Sequence, residues 1–223
     1  MTDAAPLWTA KTDAAKSGGG LRLDVCNLSC ARGGRVLFSD LNFAAQGGGA
    51  IEVRGPNGIG KTTLLRALAG LMRPSAGEIV LQINGAPLDA ETPRGQCMHF
   101  MGPEPGARPE ETVRESLRHW AAMWSAGETA THAAIERVDL TRAADRAVRR
   151  LSSGEKRRLG LARLLLQYRP IWLLDEPSSG LDAAGRTLCH ALITEHRALG
   201  GLVIVATHEA ANLENAAMIR LTP

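Results

Sequence analysis

A lysine and two threonines close a run that holds three glycines: Gly55-Pro56-Asn57-Gly58-Ile59-Gly60-Lys61-Thr62-Thr63. Glycine is costly in backbone entropy, so this density signals a bare backbone that something must approach closely. The spacing Gly-x4-Gly-Lys-Thr fits a phosphate-binding loop when a strand precedes it and a helix follows. In such a loop, inward N–H groups and a helix N-terminus receive phosphate oxygens. Lys61 would reach the β- and γ-phosphates, and the Thr62 hydroxyl would ligate Mg²⁺. A second candidate group is Ile171-Trp172-Leu173-Leu174-Asp175-Glu176, an apolar run ending in two carboxylates. An acid at a strand end is what such a loop needs to hold Mg²⁺, and Asp175 fits. Glu176 is then placed to polarise an attacking water. The alternative for the first stretch is a plain glycine turn before a helix, which its strand-loop-helix context disfavours; the second, alone, reads as an ordinary solvated turn. Together they point to a nucleotide site.

The elements that must position these residues are legible from apolar periodicity. Leu21, Leu23 and Val25 alternate and predict a strand over 21–29, followed by a turn at Arg32-Gly33-Gly34-Arg35. A second strand is expected over 36–43, with a break at Ser39-Asp40. A turn at 47–49 leads into a short strand over 50–54, which runs straight into the glycine-rich loop. Leucines at 64, 65, 68 and 71 give helical spacing over 61–71, stopped by Pro74 and Gly77. A strand over 78–83 meets Asn84-Gly85, a strong hairpin signal. After a Gly- and Pro-rich stretch at 102–109, residues 110–167 read as mostly helical. Strands are expected over 171–174 and 202–206, with helices over 185–199 and 210–217. This order argues an α/β fold with a mostly parallel central sheet, an antiparallel N-terminal part and a helical subdomain near 104–167.

The bulk properties narrow the class. The chain has 223 residues, 44% of them hydrophobic, enough for one buried core. Its 26 basic and 23 acidic residues nearly balance, at a net charge of +3. That balance argues neither for nor against nucleic acid, no long basic block supports such binding, and no nucleic acid is expected among the partners. No segment approaches the roughly 18 apolar residues of a membrane span, so any membrane association is expected through a partner. Residues 1–20 have no apolar stretch of the signal-peptide kind and are expected to form a flexible tail. Cys26, Cys30, Cys97 and Cys189 form no CxxC pair and read as reduced thiols. On a regular strand Cys26 and Cys30 share a face; they read as small buried hydrophobes, with a metal pair as the alternative.

Further segments carry a family resemblance. Leu151-Ser152-Ser153-Gly154-Glu155 resembles the Leu-Ser-Gly-Gly-Gln signature of ABC-type ATPases, with Ser153 for a glycine and Glu155 for the glutamine. Read without the family, Ser152 and Glu155 have capping-box spacing. Ala206-Thr207-His208 looks like that family's switch histidine, and Gly180-Leu181-Asp182 matches its D-loop. Arg73-Pro74-Ser75-Ala76-Gly77-Glu78-Ile79 matches the strand entry after the loop helix. The resemblance spans residue 21 to the end and implies one P-loop ATP-binding domain of ABC type over 21–223. It implies ATP and Mg²⁺ as ligands, on Gly55, Pro56, Asn57, Gly58, Ile59, Gly60, Lys61, Thr62 and Thr63, with Mg²⁺ on Thr62 and Asp175. Glu176, His208 and Lys61 would be catalytic. In a head-to-tail homodimer, Ser152, Ser153, Gly154 and Glu155 of one copy would contact the ATP of the other, and Asp182 would connect the sites.

Two positions depart from the pattern. Pro103 stands where the Q-loop glutamine is expected, leaving Glu104 or backbone carbonyls to couple ATP to a partner; Gln96 is out of register. Arg32 stands at the adenine-stacking position, where a guanidinium plane can serve. The run 27–38, Phe100-Met101-Gly102 and Thr112-Val113-Arg114-Glu115-Ser116-Leu117 resemble the ATP-binding subunit of the bacterial haem exporter of cytochrome c biogenesis, and Gly200-Gly201-Leu202-Val203 before the switch strand also fits. That resemblance implies a translocase-type ATPase peripheral to the cytoplasmic face of the inner membrane, paired with a multi-span permease subunit. The stretch 102–117 would dock the permease's cytoplasmic helix. No direct haem binding is expected: Met98-His99 and Cys189-His190 read as core packing or surface. Another ABC transporter's ATP-binding subunit, a soluble ABC ATPase and an ATP-binding scaffold remain as alternatives.

Overall fold

The computed structural model describes residues 20–88, 94–208 and 211–222. The tail expected over 1–20 lies outside them but for Gly20. The described residues divide into two units. The first holds those up to Phe100, with Arg169–Glu176 and those from His196 onward. The second holds Met101–Tyr168 and Pro177–Glu195.

Among the described residues the first unit carries two sheets. The strands β1 (Leu21–Arg32), β2 (Arg35–Gln46), β4 (Ala76–Ile83) and β5 (Ala86–Pro87) form a sheet in the order β2-β1-β4-β5, all antiparallel. The Asn84-Gly85 hairpin is the β4–β5 turn, with both residues left-handed as that turn requires. The second sheet has the order β6-β7-β8-β3-β9, from β3 (Ala50–Arg54), β6 (Met98–Met101), β7 (Ile171–Asp175), β8 (Leu202–Thr207) and β9 (Ala217–Arg220). Strands β7, β8, β3 and β9 run parallel. Every residue of β7 and β8 is buried, which is why both read as unbroken apolar runs and not as alternations.

Helix α1 (Lys61–Leu68) supplies Leu64, Leu65, Ala67 and Leu68 to one core with Leu23 and Val25 of β1, Ile51 and Val53 of β3, and Leu173 and Ile204 of the parallel sheet. Each fully buried leucine contributes about 1.5–3 kcal/mol relative to exposure, so α1 is pinned on its apolar face. It ends before the predicted Leu71. Gly70 adopts φ 73, its N–H reaches the Ala67 carbonyl at 3.1 Å, and Leu71 N–H reaches Arg66 at 2.9 Å. These two bonds are a Schellman stop. Leu71 is left 66% exposed.

Three expectations need correction. Cys26 and Cys30 do not share a face: Cys26 is exposed and Cys30 is fully buried. Asn27 turns left-handed at φ 47, the register shifts between Val25 and Leu28, and the inward phase moves from 23 and 25 to 28 and 30. A β-bulge adds the residue that breaks the alternation. The break expected at Ser39-Asp40 is likewise a local irregularity inside a continuous β2, with Asp40 at φ 53 donating its N–H to Ser29 Oγ at 3.1 Å. The helix expected over 210–217 does not form among the described residues 211–217. Asn212 and Asn215 are left-handed, at φ 51 and 53, and Ala217 opens edge strand β9.

The second unit contains α2 (Val113–Met123), α3 (Glu128–Arg137), α4 (Ser153–Leu164) and most of α5 (Ala183–Ala198). Ser125 and Asp139, at φ 55 and 57, divide the long helical stretch. Val113, Leu117, Ala134, Ile135, Val138, Leu159 and Leu161 are buried. Thr112 and Ser152 each cap a helix with a reciprocal glutamate three residues on. Cys189 of this unit is buried, as are Met98 and His99 of the first.

Candidate functional site

The parallel sheet brings the predicted residues of the first unit together. Asp175 is the Cα partner of Ala206, and Thr207 of Arg54. The ends of β7, β8 and β3 therefore lie side by side, and the chain leaves them at Glu176, His208 and Gly55. The carboxyl edge of an open parallel sheet is where ligands bind in this class of architecture.

The loop from Gly55 to Gly60 joins β3 to α1, as the motif requires. Gly60 is the residue before the helix, at φ 117, with no side-chain cap. A β-carbon there would lie 3.2 Å from Leu37 Cβ and 3.2 Å from Phe38 Cδ1, so both its conformation and its contact with β2 demand glycine. The first turn of α1 has no acidic residue, which leaves its positive N-terminus to an anion. Lys61 is 7% exposed, and its Nζ donates to the carbonyls of Gly55 at 2.7 Å and Pro56 at 3.3 Å. The ammonium thus spans the loop from inside.

Thr62 Oγ1 donates to Asp175 Oδ2 at 2.6 Å, across 113 positions of sequence. Asp175 is 2% exposed at the end of β7. The pair presents hydroxyl and carboxylate oxygens, the hard donors Mg²⁺ prefers. No group of three or more His, Cys, Asp or Glu among the described residues could hold a metal. Two protein oxygens completed by phosphate oxygens is the usual Mg²⁺ arrangement in nucleotide sites, and these residues fit it.

Glu176 follows at φ 51, its N–H bonded to the Ala206 carbonyl at 2.8 Å. The twist swings its carboxylate onto the end of β8. Oε1 accepts from His208 N–H at 3.0 Å and lies 2.9 Å from His208 Nδ1. Thr207 Oγ1 donates to Oε2 at 3.4 Å. The Thr207 contact was not read from the sequence; the hydroxyl one residue before the switch histidine was its only signal. Arg32 is exposed at the β1–β2 turn of this unit.

The signature and D-loop residues belong to the second unit. Ser152 Oγ accepts from Glu155 N–H at 3.2 Å, and Glu155 Oε2 accepts from Ser152 N–H at 2.9 Å. That N–H bond, with help from Arg146, holds the Glu155 carboxyl below its ordinary range. The capping-box reading of this stretch holds: the box builds the start of α4, on which the residues resembling the signature lie. A β-carbon on Gly154 would meet the Gly180 carbonyl at 3.0 Å, so signature and D-loop pack directly. Asp182 Oδ1 accepts from Gly185 N–H at 2.8 Å and Arg158 Nη2 at 3.2 Å, which lower its carboxyl in that order. Ser153 and Pro103 are exposed.

Residues 38–179 match the family model described as ABC transporter. The chain belongs to the ABC transporter family. It is similar to the cytochrome c biogenesis ATP-binding export protein CcmA of Hyphomonas neptunium, 45% identical over 200 residues, covering 89% of this chain and 96% of that one. The CcmA protein of Rhodopseudomonas palustris is 45% identical over 181 residues, 81% of this chain and 88% of its own. Among solved structures, an ABC transporter ATP-binding protein from Pyrococcus furiosus superposes with TM-score 0.75 at 26% identity, over 90% of this chain and 97% of that one. The dimeric ATP-binding cassette MJ0796, bound to ADP and Pi in a post-hydrolysis state, gives TM-score 0.77 at 22% identity over 90% and 94%. The fold is thus that of the ABC ATPases, and the chain is an ABC-type ATPase. No helix among the described residues is long and apolar enough to cross a membrane.

Proposed function

We propose that this chain is the ATP-hydrolysing subunit of the haem exporter complex of cytochrome c biogenesis, working over residues 21–223 as a head-to-tail pair on a multi-span membrane subunit. The observation that carries the ATPase reading is the meeting of Thr62 with Asp175, and of Glu176 with His208, at the ends of adjacent strands. The likeness to the CcmA export proteins over most of both chains supports the pathway and the peripheral place at the cytoplasmic face of the inner membrane.

In the proposed cycle the ATP phosphates enter the loop at 55–60 and meet its N–H groups and the open end of α1. Lys61 exchanges its two loop carbonyls for phosphate oxygens. Thr62 and Asp175 would hold Mg²⁺, which would supply neutralisation of the phosphate charge. Glu176 accepts the proton of the attacking water, and His208 turns from Glu176 to the γ-phosphate. Arg32 stacks on the adenine. Ser152, Ser153, Gly154 and Glu155 of the second copy close the site, and Asp182 links the two. In the second unit a groove of about 640 Å³ is lined by Glu104, Glu111, Trp120 and Met123. It supports docking of the permease's cytoplasmic helix on the stretch 102–117.

The test is Glu176→Gln in the assembled complex. A positioned base contributes about 10²- to 10⁴-fold, so the variant should bind ATP and turn over at least ~100-fold more slowly. Equal rates would remove Glu176 from the mechanism. The tagged variant, solubilised from membranes of its host with Mg-ATP, should co-purify with a multi-span protein of the haem-handling machinery. A different membrane partner would discard haem export and keep the motor. The absence of any would favour the soluble ATPase or scaffold.

A further inference from the structure

Glu52 is out of character with its strand. It lies in the middle of β3, 3% exposed, between Val205 of β8 and Met218 of β9 as Cα partners. A carboxylate persists at such depth when it is paired and hydrogen-bonded. Glu52 Oε2 accepts from Arg54 Nε at 2.9 Å and again from Arg54 Nη2. Its other oxygen turns elsewhere: Oε1 accepts from the backbone N–H of Leu213 at 3.2 Å.

One partner adjoins the phosphate loop in sequence and the other follows His208. Arg54 directly precedes Gly55 and is the Cα partner of Thr207. Leu213 lies five residues beyond His208, within residues 211–216, which form no helix or strand and lead to β9. That stretch has a second clasp. Arg197 donates from Nε to the Gly48 carbonyl at 3.0 Å and from Nη1 to the Glu214 carbonyl at 2.9 Å. The first clasp ties the segment behind the switch histidine to the middle of β3, and the second ties it through Arg197 to the turn before that strand. An irregular segment has no ladder of its own, so its place depends on such bonds.

We propose that Glu52 is a positioning residue for His208: its buried carboxylate fixes the segment that follows the histidine to the strand that feeds the phosphate loop. The loop that receives nucleotide and the segment that follows the histidine are thereby tied to the same strand. A bulk apolar residue at 52 would serve the sheet as well, and would leave both Leu213 N–H and Arg54 unpaired. The proposal rests on the ATPase reading above for its consequence in turnover, while the clasp itself is readable without turnover.

The experiment uses the assembled complex with Glu52→Leu and Glu52→Gln. A misplaced catalytic group costs tenfold or more, so Glu52→Leu should lower kcat at least ~10-fold, with KM for ATP within about twofold of wild type. Amide exchange over 211–216 should rise at least ~10-fold in the variant, with α1 and β7 as in wild type. Glu52→Gln keeps an acceptor for Leu213 and should stay within about threefold in kcat. Unchanged exchange over 211–216 would overturn the clasp. So would a Glu52→Gln variant as slow as Glu52→Leu, because the loss would then belong to the charge beside Arg54. A parallel loss of ATP affinity and kcat, with faster exchange throughout β3, β7 and α1, would show a structural role only. If the wild-type complex binds ATP without hydrolysing it, the motor reading fails, and exchange over 211–216 alone decides whether the clasp stands.

Discussion

Replacing Gly60 by alanine separates two demands that the phosphate loop makes on one residue. Its φ of 117 lies beyond the left-handed basin that L-residues tolerate, and an alanine held there is strained by about 1–3 kcal/mol. The added β-carbon would also stand 3.2 Å from Leu37 Cβ and from Phe38 Cδ1. Phe38 is 6% exposed in the main core, so it yields only by repacking, at about 1–3 kcal/mol. The sum is about 2–6 kcal/mol. Gly58 is the control in the same loop. Its φ is 81 and a β-carbon there meets no heavy atom within 4 Å, so strain alone acts, about 1–2 kcal/mol. At about 2–4 °C per kcal/mol for a chain of this length, Gly60→Ala should lower Tm by about 4–24 °C and Gly58→Ala by about 2–8 °C. The chain has two units, so nucleotide-free unfolding is best followed by amide exchange in α1 and β2, which reads the first unit by itself. Equal losses in the two variants, or a milder one at Gly60, would refute the crowding against β2 and leave only the backbone argument.

Lys61→Ala should weaken ATP binding at least ~10-fold by calorimetry, since a phosphate-charge contact made in a dry loop is lost; unchanged affinity would contradict the loop assignment. Ser152→Ala removes the cap of α4 and should cost about 1 kcal/mol, seen as faster exchange in the first turn of that helix; wild-type exchange would deny the capping box. His196 is fully buried and stacked on Trp172 with ring centroids 4.1 Å apart. Burial pushes its imidazole down to about 3, against an opposing hydrogen bond with Pro170. The unfolded chain binds a proton near the ordinary 6.5 that the folded chain refuses until about 3, so this group lowers stability as pH falls through that window. Urea midpoints should drop across it in wild type and less steeply in His196→Phe; parallel curves would remove His196 as the source.

The sequence carried the parallel sheet and the phosphate loop because burial and backbone demand leave a mark on residue type. Both faces of β7 and β8 are covered, so only apolar residues serve there, up to Asp175 and Thr207 at the functional edge. Gly60 is written into the chain for the same reason: no other residue fits φ 117 against Phe38. The failures share a cause as well. A period-two rule carries Cys26 and Cys30 to one face, yet Asn27 adds a residue to the phase, and asparagine at a left-handed bulge looks in sequence like asparagine anywhere. Asn212 and Asn215 ended the expected last helix in the same way. Composition over 210–217 favours a helix, and the segment's partners lie elsewhere: Glu52 and Arg197 are 161 and 17 positions from the groups they hold.

That distance explains why part of the site stayed hidden. Glycine spacing and a strand-end carboxylate mark the residues proposed to meet nucleotide, because that chemistry admits few substitutes. A residue that places another residue obeys a weaker rule: any acceptor at the right depth will do. Glu52 in Ala50-Ile51-Glu52-Val53-Arg54 is one polar residue of a short strand until β8 and β9 are seen on both sides of it. Flanked by two strands, the same glutamate becomes a buried charge that must be held, and the groups holding it lead to the loop before it and the histidine segment beside it. A charged residue inside a strand that later proves central therefore carries more about the site than its type alone discloses, and its information is released only by strand order.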